Sequence, residues 1–268
     1  MSILSLTPRN GSAEMETAIK EGIYIYCIIG SSQAQSFGAI GIGERGDELY
    51  CVNAEGLCAV VSHSPIQKFK MSRDNLLAHE RAIEEVMKTH TVLPVRFATV
   101  AETEEKVQNI LRKEAERFTS LLREIAGRKE LGLKAIFNSE QIYAQIAEQE
   151  EIKRLKARLT SMPADKIYLQ KMELGRMVEQ ALERERDQRR ADILSELTPL
   201  VIEVKTTKPY GEMMILNAAC FIAGEREAEF DRAVHALAER FGELITWRYT
   251  GTLPPFNFVN VIINAADL

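Results

Sequence analysis

His79 and Glu80, with Glu84 one turn further along the same expected helix and His90 beyond it, are the residues most able to ligate a metal or move a proton. A zinc-protease helix needs a second histidine four residues after the first, and position 83 is Ile. His79 therefore reads as a packed, hydrogen-bonded side chain, and His63 and His235 have no ligand-like company. Gly38, Gly41 and Gly43 form a glycine-rich stretch, but no helix follows to offer its N-terminus to a phosphate. They read as a turn before a hairpin. Cys27, Cys51, Cys58 and Cys220 match neither a zinc spacing nor a Cys-x-x-Cys redox pair. Three of them lie in apolar runs, where a reduced thiol acts as a small hydrophobe, and this fits a reducing cytoplasm. No Gly-x-Ser-x-Gly elbow occurs, so no catalytic, cofactor-binding or metal-ligating residue is assigned and a non-enzymatic protein is expected.

Two other groups stand out for shape. Leu93, Pro94, Arg96 and Phe97 place an arginine among apolar neighbours, where its stem packs and its head seeks an acceptor. Pro254, Pro255, Phe256 and Phe258 set two prolines and two aromatics after a strand. Both groups are candidates for core or junction packing, or for contact with a partner, with packing the favoured reading.

The elements that must position these residues follow from periodicity. Gly22 to Gly30 is a β-branched and aromatic run that reads as a strand. Leu49–Asn53 and Leu57–Ser62 flank Ala54-Glu-Gly56 and read as a hairpin. From Asp74 to Thr89, Leu76, Ile83, Val86 and Met87 share one helix face. Thr103 is the expected cap of a single helix that runs to Gly127 with Val107, Ile110, Leu111, Phe118, Leu122 and Ile125 on one stripe. Strands are expected at Gly132–Phe137, Leu200–Thr206, Met213–Ala223 and Leu244–Thr250. Helices are expected at Glu140–Thr160, at about Asp165–Leu197 and at Glu225–Phe241, and Phe256–Ile263 is β-prone.

The fold class is thus α+β in two domains: a flexible lead-in at 1–20, a mixed domain at 21–128 and a ferredoxin-like domain at 129–253. The second carries a helical insertion at about 140–197, and a tail at 254–268 packs near the domain junction. The 268 residues suffice for cores that need no metal staple, and 46% hydrophobic with 27% charged residues is ordinary globular composition. A formal charge of −5 disfavours nucleic acid, which is bound through phosphate contacts by Lys and Arg. The sign-alternating stretch from Glu183 to Arg190 reads as a solvated helix face. Neither a secretory leader nor a membrane-spanning run is recognised, so a cytoplasmic protein is expected.

Several separated segments together resemble the gas vesicle protein F/L family. They are Tyr24-Ile-Tyr-Cys-Ile28, Leu57-Cys-Ala-Val-Val-Ser62, His79-Glu-Arg81, Thr91-Val-Leu-Pro-Val-Arg-Phe97, Ile167-Tyr-Leu-Gln-Lys171, Leu216-Asn-Ala-Ala219 and Thr250 to Val259, in the family's order. Ala98 stands where the family often has Gly, Thr252-Leu253 replaces a usual Pro-Trp, and Phe256 replaces a common Tyr. The resemblance implies two α+β domains, the second ferredoxin-like. It also implies a minor component or assembly factor of gas vesicles inside the cytoplasm. The implied partner is the hydrophobic shell subunit, gas vesicle protein A, together with other gas vesicle proteins. The competing readings are a small-ligand or enzymatic ferredoxin-like protein and a helical interaction module built on the insertion.

Overall fold

A computed structural model describes residues 20–43, 45–66, 69–160, 163, 167–259 and 261–268. The expected lead-in, apart from residue 20, and the expected start of a helix at Asp165 lie outside the described residues. The first sheet contains β1 (Glu21–Ile29), β2 (Ser36–Gly38), β3 (Leu49–Ala54), β4 (Leu57–Pro65), β5 (Val92–Pro94) and β6 (Val100–Ala101). Its order is β2-β3-β4-β1-β5, with β6 also on β1 and every pairing antiparallel. β1 is the central strand and is buried on both faces, which is why it reads as a continuous apolar run. A register shift between Ile25 and Cys27 breaks the alternation. Ile23, Ile25 and Ile28 enter one core, whereas Tyr24, Tyr26, Cys27 and Ile29 enter the other.

Each face has its own helices. α1 (Arg73–Met87) covers the tyrosine face through Ala82, Ile83 and Val86. α2 (Glu104–Lys113) and α3 (Ala115–Ile125) cover the opposite face through Val107, Ile110, Leu111, Phe118, Leu122 and Ile125. Thr103 caps α2 as expected, its hydroxyl accepting from the Lys106 N–H at 3.3 Å. The expected single helix is broken at Glu114, whose φ of −105° and ψ of 11° leave helical geometry while the apolar stripe continues.

The second sheet contains β7 (Arg128–Phe137), β8 (Glu203–Thr206), β9 (Met214–Ala223) and β10 (Ile245–Leu253), in the order β10-β7-β9-β8 and antiparallel throughout. Between β7 and β8 run α4 (Ser139–Ala147), α5 (Glu150–Thr160) and α6 (Ile167–Leu197), and α7 (Glu227–Phe241) joins β9 to β10. This is the β-α-β-β-α-β order of a ferredoxin-like sheet with its first crossover lengthened. Leu131, Leu133, Ala135 and Phe137 meet Ile142, Ile146, Ala181, Leu182, Ile193, Phe230, Val234 and Leu237 in one core. The sign-alternating stretch of α6 pairs within itself, with Arg189 at 3.0 Å from Glu185 and Arg190 at 3.2 Å from Asp187.

Two expectations are corrected. Cys51 and Cys58 are not independent thiols but a disulfide with a Cα–Cα distance of 5.5 Å, so the cysteines do not support the expected reducing compartment. Their spacing of seven residues looks unremarkable along the chain. The two-residue turn at Glu55 and Gly56, both with positive φ, places Cys58 opposite Asn53 and diagonal to Cys51. Cys27 and Cys220 are free and buried. Among its described residues, Phe256–Ile263 is a turn followed by one parallel bridge, Val261 to Val95, rather than a strand. Pro254 and Pro255 lack the N–H that a ladder requires.

Candidate functional site

The strand β5 continues beyond Pro94: the Val95 N–H donates to the Tyr26 carbonyl at 2.9 Å, and Val95 bridges to Val261. Leu93 and Pro94 are buried against β1, Phe97 is half-buried, and the Arg96 side chain is exposed with no ion pair among the described residues. After β10, Pro254 and Pro255 are buried, and the Phe256 and Val259 amides donate to Pro254 and Pro255 carbonyls at 2.7 and 2.8 Å. That turn carries Phe256 towards β5 and α1. Residues about 160 positions apart thus form one half-open cleft of about 360 Å³. It is lined by Leu76, His79 and Glu80 of α1, by Pro94, Val95, Arg96 and Phe97, and by Phe256 and Val259.

Of the sequence-selected residues, Pro94, Arg96, Phe97 and Phe256 line the cleft; Leu93, Pro254, Pro255 and Phe258 do not. Leu93 belongs to the sheet core. Phe258 stacks on Phe221 of β9 with centroids 4.7 Å apart, and the Lys205 ammonium lies 5.0 Å from its ring centroid. Leu76, Val95 and Val259 were missed as site residues, and His79 and Glu80 were singled out only as possible ligands or proton carriers. Leu76 carries the helix period of a core residue yet is 39% exposed, because no described element covers the first turns of α1 on that side.

The floor of the cleft is hydrogen-bonded, and the bonds fix its protonation state. His79 Nε2 lies 3.1 Å from the Val95 carbonyl, which only accepts, so that nitrogen carries the proton. Nδ1 is then the acceptor for the Tyr24 hydroxyl at 3.1 Å, and that hydroxyl in turn accepts the Ala98 N–H at 2.9 Å. Tyr26 stacks on the imidazole at 5.7 Å and Phe97 meets it edge-on at 5.7 Å. Burial, opposed by the Val95 bond, lowers the His79 pKa from 6.5 to about 4, so the ring is neutral at neutral pH. Burial and then the neighbouring Glu84 push the Glu80 carboxyl up. Among the described residues no group of three or more His, Cys, Asp or Glu is placed to hold a metal, and no helix is long and apolar enough to cross a membrane. The geometry suits an apolar side chain inserted between Leu76, Phe97 and Phe256, with one cation and one carboxyl group at the edge.

Ala98 closes the β5 segment with φ +63°, a left-handed conformation that costs an L-residue about 1–2 kcal/mol. Ala98→Gly is therefore expected to stabilise the protein by about 0.5–1 kcal/mol, the relief being partly offset by the greater chain entropy of glycine when unfolded. Urea denaturation checks this; an unchanged or lower midpoint would show that the turn is not strained.

These features define an α+β protein of two antiparallel sheets flanked by helices, with an apolar cleft where its C-terminal segment meets the first sheet. The chain belongs to the gas vesicle synthesis protein GvpL/GvpF family, whose sequence model matches residues 22–260. It is 25% identical over 244 residues to gas vesicle protein F of Dolichospermum flosaquae, covering 89% of this chain and 98% of that one. With gas vesicle protein F of Microcystis aeruginosa the identity is 27% over 249 residues, covering 90% and 99%. Its structure is similar to the crystal structure of gas vesicle protein GvpF from Anabaena sp. PCC7120, with a TM-score of 0.75, 25% identity and coverage of 91% and 100%. The role of this chain is accordingly a gas vesicle role.

Proposed function

We propose that this protein is a minor structural component or assembly factor of gas vesicles that binds the hydrophobic shell subunit, gas vesicle protein A, and has no catalytic activity. On this reading it works within the cytoplasm, at the vesicle. A shell subunit that lines a dry gas space exposes apolar surface before it polymerises, and such surface aggregates in water. A folded binder that covers this surface, or presents subunits in order to a growing shell, performs that task without a reacting group. The observation that carries the proposal is the convergence of Leu76, Phe97 and Phe256 on a cleft whose floor is locked by His79. We read the chain as two domains meeting near residue 128, the cleft being completed only when the tail at 254–268 returns to the first.

The test is co-purification of the shell subunit with tagged full-length protein from co-expressing cells. Leu76→Asp and Phe256→Asp each place a charge on an exposed apolar wall without opening the core. Losing a buried aromatic or aliphatic contact of about 1.5–3 kcal/mol lowers retention by about 10- to 100-fold. Tyr210→Asp, at a highly exposed site outside the cleft, leaves retention unchanged. Full retention by both cleft variants, with unaltered melting, would remove the cleft from the proposal.

A further inference from the structure

The first half of α6 carries Tyr168, Met172, Gly175 and Glu179 at intervals of four, three and four residues, the spacing of a single exposed seam for another helix. Gly175 sits inside this 31-residue helix, where glycine weakens the helix relative to alanine. Apart from its own helix, no described atom lies within 4 Å of where its Cβ would stand, so no packing among the described residues uses the space. Val178 and Leu182 beside it, with Tyr143 of α4, floor a groove of about 410 Å³. Met172, 58% exposed, lies one turn before Gly175 on the seam. The rim is acidic: Glu179, Glu183 and Glu212 line it, and Arg186, the one cation there, lies 3.6 Å from Glu183. Glu179 and Glu212 have no ion-pair partner among the described residues.

We infer that this groove docks an amphipathic helix of a second protein. Small apolar residues of that helix lie over Gly175, and Lys or Arg residues beside them face Glu179 and Glu212. A bare glycine lets a partner backbone approach closely, and the unpaired carboxylates select a basic flank. The same carboxylates repel nucleic acid and anionic lipid. The surface lies on α4 and α6, whereas the apolar cleft is built from α1, β5 and the C-terminal segment, so the two can be occupied together.

The experiment places a photoreactive benzoylphenylalanine at Met172 in the full-length protein, in cells assembling gas vesicles, with the same group at exposed Arg184 on the opposite face as control. The expected result is an adduct whose mapped peptide, from a different protein, has apolar residues at helical spacing flanked by Lys or Arg. Gly175→Leu fills the groove while favouring the helix, and it lowers the adduct yield at least tenfold with no fall in melting temperature. The pair Glu179→Lys and Glu212→Lys does the same, with the largest effect at low salt, where exposed charges are least screened. The inference is overturned by a yield no greater than at Arg184, by adducts only with a second copy of this chain, by an acidic mapped segment, or by an adduct that survives Gly175→Leu.

Discussion

Glu130→Ala is expected to destabilise the protein by about 3 kcal/mol and to detach the C-terminal segment from the second sheet. Glu130 is 2% exposed, on the face of β7 away from the helix-packed core. Its two oxygens accept from Asn257, one from the backbone N–H at 3.0 Å and one from the side-chain amide at 2.5 Å. Burial pushes its carboxyl up, and the two Asn257 bonds and the nearby Lys205 oppose that rise. Lys205 in turn donates to the Asn257 carbonyl at 2.9 Å. Two charge-assisted bonds contribute about 1.5–3 kcal/mol each, less the cost of burying the charge, which leaves a net near 3. Glu130→Gln should lose about half as much, because its amide keeps one acceptor but opposes an Asn257 donor with its own NH₂. Because Phe256 hangs from this segment, hydrogen exchange at Asn257 to Val259 should quicken and shell-subunit retention should fall in parallel with stability. A loss below about 0.5 kcal/mol in urea denaturation would show that the latch does not hold the tail.

The second large effect is on pH. His79 must be neutral in the folded protein, with a pKa of about 4 against 6.5 for an unhindered imidazole. A depressed folded pKa means that the stabilisation is fully present above about 6.5 and is lost progressively as pH falls towards 4. The shift corresponds to roughly 3 kcal/mol, most of it lost before pH 4.5. Carboxyl groups held low by cations, such as Glu102 beside Lys20 and Lys106 and Glu229 beside Arg226, stay ionised below their ordinary 4.5 and contribute little slope in that interval. Protonation would put a proton on Nδ1 and force the Tyr24 hydroxyl to turn away while it still accepts from Ala98. His79→Gln, which can donate to the Val95 carbonyl without titrating, should flatten the stability profile between pH 6.5 and 4.5. An equal slope in this variant and the unaltered protein would assign the titration elsewhere.

Both effects arise at residues whose roles need different amounts of spatial information. His79 reads from the sequence as a packed and hydrogen-bonded histidine because no second ligand lies four residues on, and the structure places it so. Its partners, the Val95 carbonyl and the Tyr24 hydroxyl, are 16 and 55 residues away and cannot be read from helix spacing. Ala98 stands out in the sequence only as a departure from the resembled family, and its left-handed backbone, with φ +63°, is visible only in the structure. Leu76 misleads, since its period is that of a buried position and, among the described residues, no element covers it.

Local chemistry was enough for much of the architecture. β-branched runs, the Glu55-Gly56 turn, the Thr103 cap and the 3.6-residue periods depend on neighbours within a few positions, and they place most of the strands and helices and the α+β class. Long-range closure decided the rest. The disulfide of Cys51 and Cys58 needs two strands folded back in register. The cleft exists only because Pro254 and Pro255 end a ladder in one sheet and send Phe256 to the other. Such contacts join residues far apart in the chain, whose meeting depends on where every intervening element packs, and no local pattern carries that sum.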